Sequence, residues 1–215
     1  MSNNCKIGLA LGAGSARGLA HIGVLETLKK YNISFDMVSG SSAGALIGCL
    51  YCCGVDFKYV KALFKNLQQK DYIDITVPRK GLIKGDRIQE IIKLITQNRN
   101  FEDLNIPLIV TATDLKNKKL VEIERGKLHE AVRASISIPG IFVPVEKVDM
   151  VLVDGAVIER VPANTLKSRG MDLVIGVDVG SNIMTCNCRS IFHVLYEAYD
   201  LMQLEYFNYK KMKQI

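Results

Sequence analysis

Two residues in this sequence are of the types that together make an acyl-transfer nucleophile. Ser42 lies in Gly40-Ser41-Ser42-Ala43-Gly44, a serine with glycine two positions to either side. That spacing marks a sharp strand-to-helix turn that projects the serine hydroxyl. Gly40 and Gly44 lack a Cβ, so strand and helix can close on each other. The first N–H groups of the helix would bring partial positive charge beside the hydroxyl. An ordinary glycine-rich turn carries the same pattern. Asp154, in Asp154-Gly155-Ala156, ends the apolar run Met150 to Val153. Parallel sheets gather active groups at strand C-terminal ends, although a structural Asp-Gly turn reads the same way. An ordinary aspartate has a pKa of about 3.9, too low to take a serine proton near neutrality. Asp154 would need an apolar pocket that raises its pKa, or a preorganised oxyanion hole that does most of the work.

Three histidines compete for the role of base. His21 stands beside a glycine-rich loop, His129 sits among Glu130 and Arg133, and His193 comes late, as a Ser…Asp…His order would have it. The loop itself is Gly12-Ala13-Gly14-Ser15-Ala16-Arg17-Gly18. Such a loop between a strand and a helix presents backbone N–H groups to an anion. One reading is an oxyanion hole beside Ser42; the other is a dinucleotide-binding turn. Against the second, the last glycine falls one place late, with Arg17 in its slot, and Asp36 begins the second strand instead of closing it. No Gly-Lys-Ser/Thr follows, so the loop is not a P-loop.

The elements that must hold these groups alternate along the chain. Lys6 to Leu11 predicts a buried strand, and Leu19 to Lys30 a helix with Ile22, Leu25 and Leu28 on one stripe. A strand from Phe35 to Val38 enters the serine turn, and Ala43 to Cys53 is the helix after it. Helices follow at Asp56 to Gln68 and Asp86 to Ile95, with Asp71 to Gly85 irregular around Pro78. Pro107 to Thr113 and Leu120 to Glu124 are paired strands. Lys127 to Ser135 is helical, Met150 to Val153 a strand, and Pro162 to Arg169 a helix closed by Gly170. Asp172 to Val179 reads as a buried strand, and residues 190–213 as a long final helix. Apolar strands alternating with helices predict an α/β fold: three layers, α/β/α, with a mostly parallel central sheet covered on both faces. No linker or repeat interrupts residues 1–215, which read as one domain.

Composition narrows the class. Hydrophobic residues make up 48% and charged residues 23% of 215, the balance of a soluble globular protein. No apolar run reaches the ~18 residues of a membrane span. The polar start, Met1 to Lys6, does not read as a secretory signal. Six cysteines without a signal read as free thiols in a reducing compartment. Neither Cys52-Cys53 nor Cys186-x-Cys188 has the spacing of a metal site. The net charge of +6 suits an anionic phospholipid surface, nucleic acid or a merely solvated lysine-rich face, and does not choose among them.

Taken in order, the glycine loop with Arg17, the Ser42 pentapeptide and Asp154-Gly155-Ala156 resemble the patatin-like phospholipase family. Ala112-Thr113-Asp114-Leu115 and Ala131-Val132-Arg133-Ala134-Ser135-Ile136-Ser137-Ile138-Pro139-Gly140-Ile141-Phe142 resemble further blocks of it, and the likeness runs from about Lys6 to Gly180. The resemblance implies a patatin-like fold, with Ser42 as nucleophile and Asp154 as base. It implies an oxyanion hole from the amides of Gly12 to Gly18 (Gly12, Ala13, Gly14, Ser15, Gly18), with Arg17 shaping it. It implies hydrolysis of acyl esters in phospholipids or other lipids through an acyl-enzyme, with no histidine, metal, cofactor or nucleic acid. The alternative is a non-catalytic lipid-binding or regulatory protein on the same fold. The chain departs from the family at Ala13, Ser15 and Ala156, where glycine is commoner, and at Phe142-Val143-Pro144. Similar bacterial proteins continue past the last helix, so the chain reads as a short or truncated member. That helix sets Phe192, Leu195, Tyr196, Tyr199, Met202, Leu204, Tyr206 and Phe207 before Lys210, Lys211 and Lys213. This suits a bilayer interface, or a helix that packs on the core or pairs two copies. The expectation is a cytoplasmic protein, with peripheral membrane contact and homo-oligomerisation both open.

Overall fold

Ile7-Gly8-Leu9-Ala10-Leu11 carries no polar side chain, and it becomes the interior strand β1 (Ile7–Leu11), paired in parallel on both sides. The computed structural model describes residues 5–77, 79–180 and 190–212; Pro78, Cys186, Cys188 and Lys213 lie outside them. After β1 come α1 (Ala20–Lys30), β2 (Met37–Ser41), α2 (Ala43–Cys52), α3 (Phe57–Asn66), α4 (Gln69–Tyr72), β3 (Gly81–Ile83) and α5 (Asp86–Ile95). Then follow β4 (Leu108–Asp114), β5 (Lys119–Ile123), α6 (Leu128–Ser135), β6 (Gly140–Phe142), β7 (Val145–Lys147), β8 (Met150–Asp154), α7 (Ala163–Ser168), β9 (Leu173–Val177) and α8 (Ile191–Met212). Among the described residues, no helix is long and apolar enough to cross a membrane.

The main sheet runs β7-β8-β4-β2-β1-β9, with β5 also paired to β4. Its centre, β4-β2-β1-β9, is parallel, and the strands added around β4 and β8 are antiparallel. Successive side chains of a strand face opposite ways, and β1 shows the result. Leu9 and Leu11 enter the larger core with α1, α2, α5 and α6, whereas Ala10 faces Val161 and Leu166 of the smaller one. All seven residues of β4 are buried, as a strand covered on both faces requires. The fold is the α/β arrangement, helices over both faces of a mostly parallel sheet.

Several local expectations change. The strand entering the serine turn begins later and runs on to Ser41. The irregular Asp71–Gly85 stretch holds the end of the short α4 and all of β3, and β3 pairs in parallel with β6. Three-residue strands are too short for an alternating pattern to show. β9 is partly exposed, not buried, because among the described residues it is an edge strand bonded to β1 alone. β8 is not part of the parallel set: it runs antiparallel to β4.

Candidate active site

Ser42 follows the last residue of β2 and precedes the first of α2, with φ 54° and ψ −121°. A non-glycine residue in this region stores roughly 1–3 kcal/mol of strain. Neighbours hold the turn in place. The Ser42 N–H donates to Ser135 Oγ at 2.8 Å, and Thr111 Oγ1 donates to the Gly40 carbonyl at 3.2 Å. A Cβ at Gly40 would lie 2.5 Å from Ala45 Cα, which is the expected approach of helix to strand. At Gly44 a Cβ would meet something else, the Leu11 carbonyl oxygen at 2.1 Å, so this glycine admits the end of β1.

The antiparallel direction of β8 explains how Asp154 arrives. Ser41 is in register with Thr111, and Asp154 with Ala112, the next residue of β4. Asp154 therefore reaches the level of Ser42 by coming down the sheet, not by standing at a parallel strand end. Its N–H donates to the Ser137 carbonyl at 2.9 Å. Ser42 Oγ donates to Asp154 Oδ2 at 2.6 Å, and the Ala156 N–H donates to Oδ1 at 2.9 Å. The carboxyl is wholly buried. Burial pushes its pKa up to about 7, against the opposing pull of Ser42, the Ala156 N–H and nearby Tyr199. The Tyr199 hydroxyl is close enough to bear on Asp154 but makes no hydrogen bond of ordinary geometry.

The glycine loop divides its amides. The Gly12 N–H donates to the Val177 carbonyl and the Ala13 N–H to the Arg160 carbonyl, each at 2.9 Å. The Arg17 N–H donates to the Gly14 carbonyl at 3.0 Å. These three are spoken for and cannot also hold an oxyanion. The N–H groups of Gly14 and Ser15 have no acceptor among the described residues. Both residues line a cavity of about 10 Å³ that Ser42 and Asp154 also line. Gly18 is buried against Ala43. The Arg17 guanidinium turns toward α8, where it donates to Asp200 Oδ2 at 2.8 Å and to Tyr196 Oη at 3.3 Å.

None of the three histidines bonds Ser42 or Asp154. His21 is buried, with Nε2 2.8 Å from the Gly12 carbonyl oxygen. His129 meets Gln89, and His193 is exposed beside Ser190. Residues without an assigned part in the sequence reading do reach the site. Ser135 and Ser137 brace Ser42 and Asp154 from the end of α6, inside the block Ala131 to Phe142 that carried the resemblance without a role. Buried Arg133 ties that block down by donating to Ser137 Oγ and to the carbonyls of Lys84, Gly85 and Val143. From α8, Tyr196, Tyr199, Asp200 and Gln203 cover the small cavity. Asp200 also accepts from Arg160 at 3.3 Å. Chemically, a serine oxygen bonded to a buried carboxyl that titrates near pH 7, beside two free N–H groups, is equipped for nucleophilic acyl transfer.

A family model described as patatin-like phospholipase matches residues 9–167, which include Ser42 and Asp154. An uncharacterised NTE family protein of Mycobacterium tuberculosis is 33% identical over 184 residues, 84% of this chain and 51% of that protein. Patatin-like phospholipase domain-containing protein 7 of Rattus norvegicus is 32% identical over 81% of this chain and 14% of its own length. A lysophospholipase of Candida albicans is 29% identical over 83% of this chain and 13% of its own length. The chain thus spans about half of the mycobacterial relative and a small part of the others. Among solved structures, VipD from Legionella pneumophila superposes with a TM-score of 0.59 at 16% identity, over 70% of this chain and 46% of that one.

Proposed function

For this chain, which belongs to the patatin-like phospholipase family, we propose the activity of a serine lipid acyl hydrolase acting through Ser42 and Asp154. The observation that carries the reading is the 2.6 Å hydrogen bond from Ser42 Oγ to Asp154 Oδ2 at a buried carboxyl. A lysophospholipase and a patatin-like phospholipase domain protein among the relatives support it. Asp154 takes the hydroxyl proton as Ser42 Oγ attacks the ester carbonyl. The N–H groups of Gly14 and Ser15 receive the oxyanion, while Gly12, Ala13 and Arg17 hold the loop's shape. Asp154 then gives its proton to the departing alcohol, leaving the acyl group on Ser42. Water, deprotonated by Asp154, hydrolyses that ester and restores both groups. The chain acts as one domain, needs no cofactor, and meets its lipid ester by peripheral contact with a membrane from the cytoplasm.

Labelling of Ser42 by a fluorophosphonate tests this reading. The labelling rate should rise with pH through a single ionisation near 7, since the base must be deprotonated. Ser42→Ala and Asp154→Asn should fall to background in labelling and in hydrolysis of a short-chain p-nitrophenyl ester, and His193→Ala should match the parent. Loss of turnover in a folded His193→Ala protein would replace the pair with a histidine-containing triad. A second reading, a non-catalytic lipid-binding or regulatory protein, draws on the cover that α8 places over the serine. It predicts no labelling at any pH.

A further inference from the structure

Ser42 lines one small cavity, and the residue after it, Ala43, lines a larger one of different character. On the α8 side the space is about 10 Å³, room for roughly one water, and its walls include Tyr196, Tyr199, Asp200 and Gln203. The larger cavity, of about 330 Å³, lies between α2, α3 and α5, walled by Ala43, Leu46, Ile47, Phe64, Leu67 and Ile88. Ser15 lines both.

We propose that this larger cavity seats the acyl chain of the substrate. The inference rests on the reading of Ser42 as the acyl acceptor. Its first support is position. Ala43, Leu46 and Ile47 stand at i, i+3 and i+4, so they form an apolar wall along one face of α2 that starts beside the nucleophile. Phe64 and Leu67 form the facing wall at the same spacing. The second support is chemistry. Among the described residues no charged side chain lines the cavity, and its polar side chains are those of Ser15 and Tyr72. A phosphate or ammonium head group would be left there without a partner, at a heavy desolvation cost. An alkyl chain loses nothing and gains burial with every methylene. The third is size. About 330 Å³ falls within the range of ligand pockets. In the acyl-enzyme, the carbonyl oxygen faces the N–H groups of Gly14 and Ser15. The chain runs on between Ser15 and Ala43 into the cavity.

The experiment fills the cavity and reads chain-length preference. Leu46→Trp should lower kcat/KM for p-nitrophenyl decanoate relative to p-nitrophenyl butyrate by tenfold or more, the discrimination an apolar pocket gives over one or a few methylenes. Phe64→Ala, which enlarges the cavity and does not depend on Leu46→Trp folding, should move the ratio the other way. Equal change with both esters in folded variants overturns the proposal. Decanoate alone, read as a rise in Tm of the parent that Leu46→Trp abolishes, tests the cavity without turnover. A decanoate shift without Ser42 labelling would sink the hydrolase reading and leave the cavity a fatty-acyl site. Labelling with neither a chain-length effect nor a decanoate shift would sink the cavity and leave the hydrolase.

Discussion

In the proposed mechanism a carboxyl takes a serine proton near neutrality, and burying such a carboxyl has a measurable cost. The pKa of Asp154 is raised to about 7 by burial, whereas an unfolded aspartate has one of about 3.9. The folded protein therefore binds this proton more tightly than the unfolded chain does. The stability this contributes is complete below about pH 4 and is lost as pH rises toward 7, on the order of 4 kcal/mol in all. Asp154→Asn keeps the shape and never ionises. Its Tm should exceed the parent's by a margin that grows from pH 4 to pH 8, read by thermal melts across that range. Parallel curves for the two proteins would mean that Asp154 does not titrate there. That Asp154 would need an apolar pocket followed from the residue type alone. Which loop amides stay free did not, because Gly12 and Ala13 are occupied by Val177 and Arg160, more than a hundred residues away.

At the scale of elements, the long apolar strands and amphipathic helices announced themselves because their periodicity is local. Directions and seats are not local. β8 looks like any apolar strand, and only its register with β4 makes it antiparallel. The aromatic stripe of α8 suits a membrane face, a pairing face or a face packed on the core. Its Leu195, Tyr196 and Tyr199 in fact pack on Ile83, Ile138 and Ile141, and Asp200 closes ion pairs with Arg17 and Arg160 across the site. Arg160 is buried, so removing its partner leaves a charge poorly compensated, with Asp178 alone at 3.4 Å. Asp200→Ala should cost about 2 kcal/mol, a fall of roughly 5 °C in Tm. It should also speed the labelling of Ser42 by a bulky fluorophosphonate, because α8 is then held less firmly over the serine. A destabilised variant labelled at the parent's rate would make α8 a fixed wall instead of a cover.

For the whole molecule, the two readings of α8 are reconciled by its two faces. The inner face is used up on the site. The outer face leaves Ile191, Val194, Leu201, Met202 and Tyr209 exposed, with Met202 at 72%. This stripe sits on a chain whose net charge is +6. Each lysine or arginine near an anionic bilayer contributes about 1 kcal/mol, falling off within a Debye length, and the apolar stripe adds burial that salt does not screen. Binding to phosphatidylglycerol-containing vesicles should therefore weaken when salt rises from 0.05 to about 0.5 M, where screening is strong, without vanishing. Met202→Glu should remove much of the residue that survives high salt, and vesicles of phosphatidylcholine alone should retain only that residue. Co-sedimentation reads both, with Ser42 labelling in solution as the check that the variant is folded. Salt-independent binding would remove the basic surface from the account, and binding unaffected by Met202→Glu would remove the outer face of α8. Loss of both would leave the substrate to reach Ser42 as a dispersed lipid, not from a membrane.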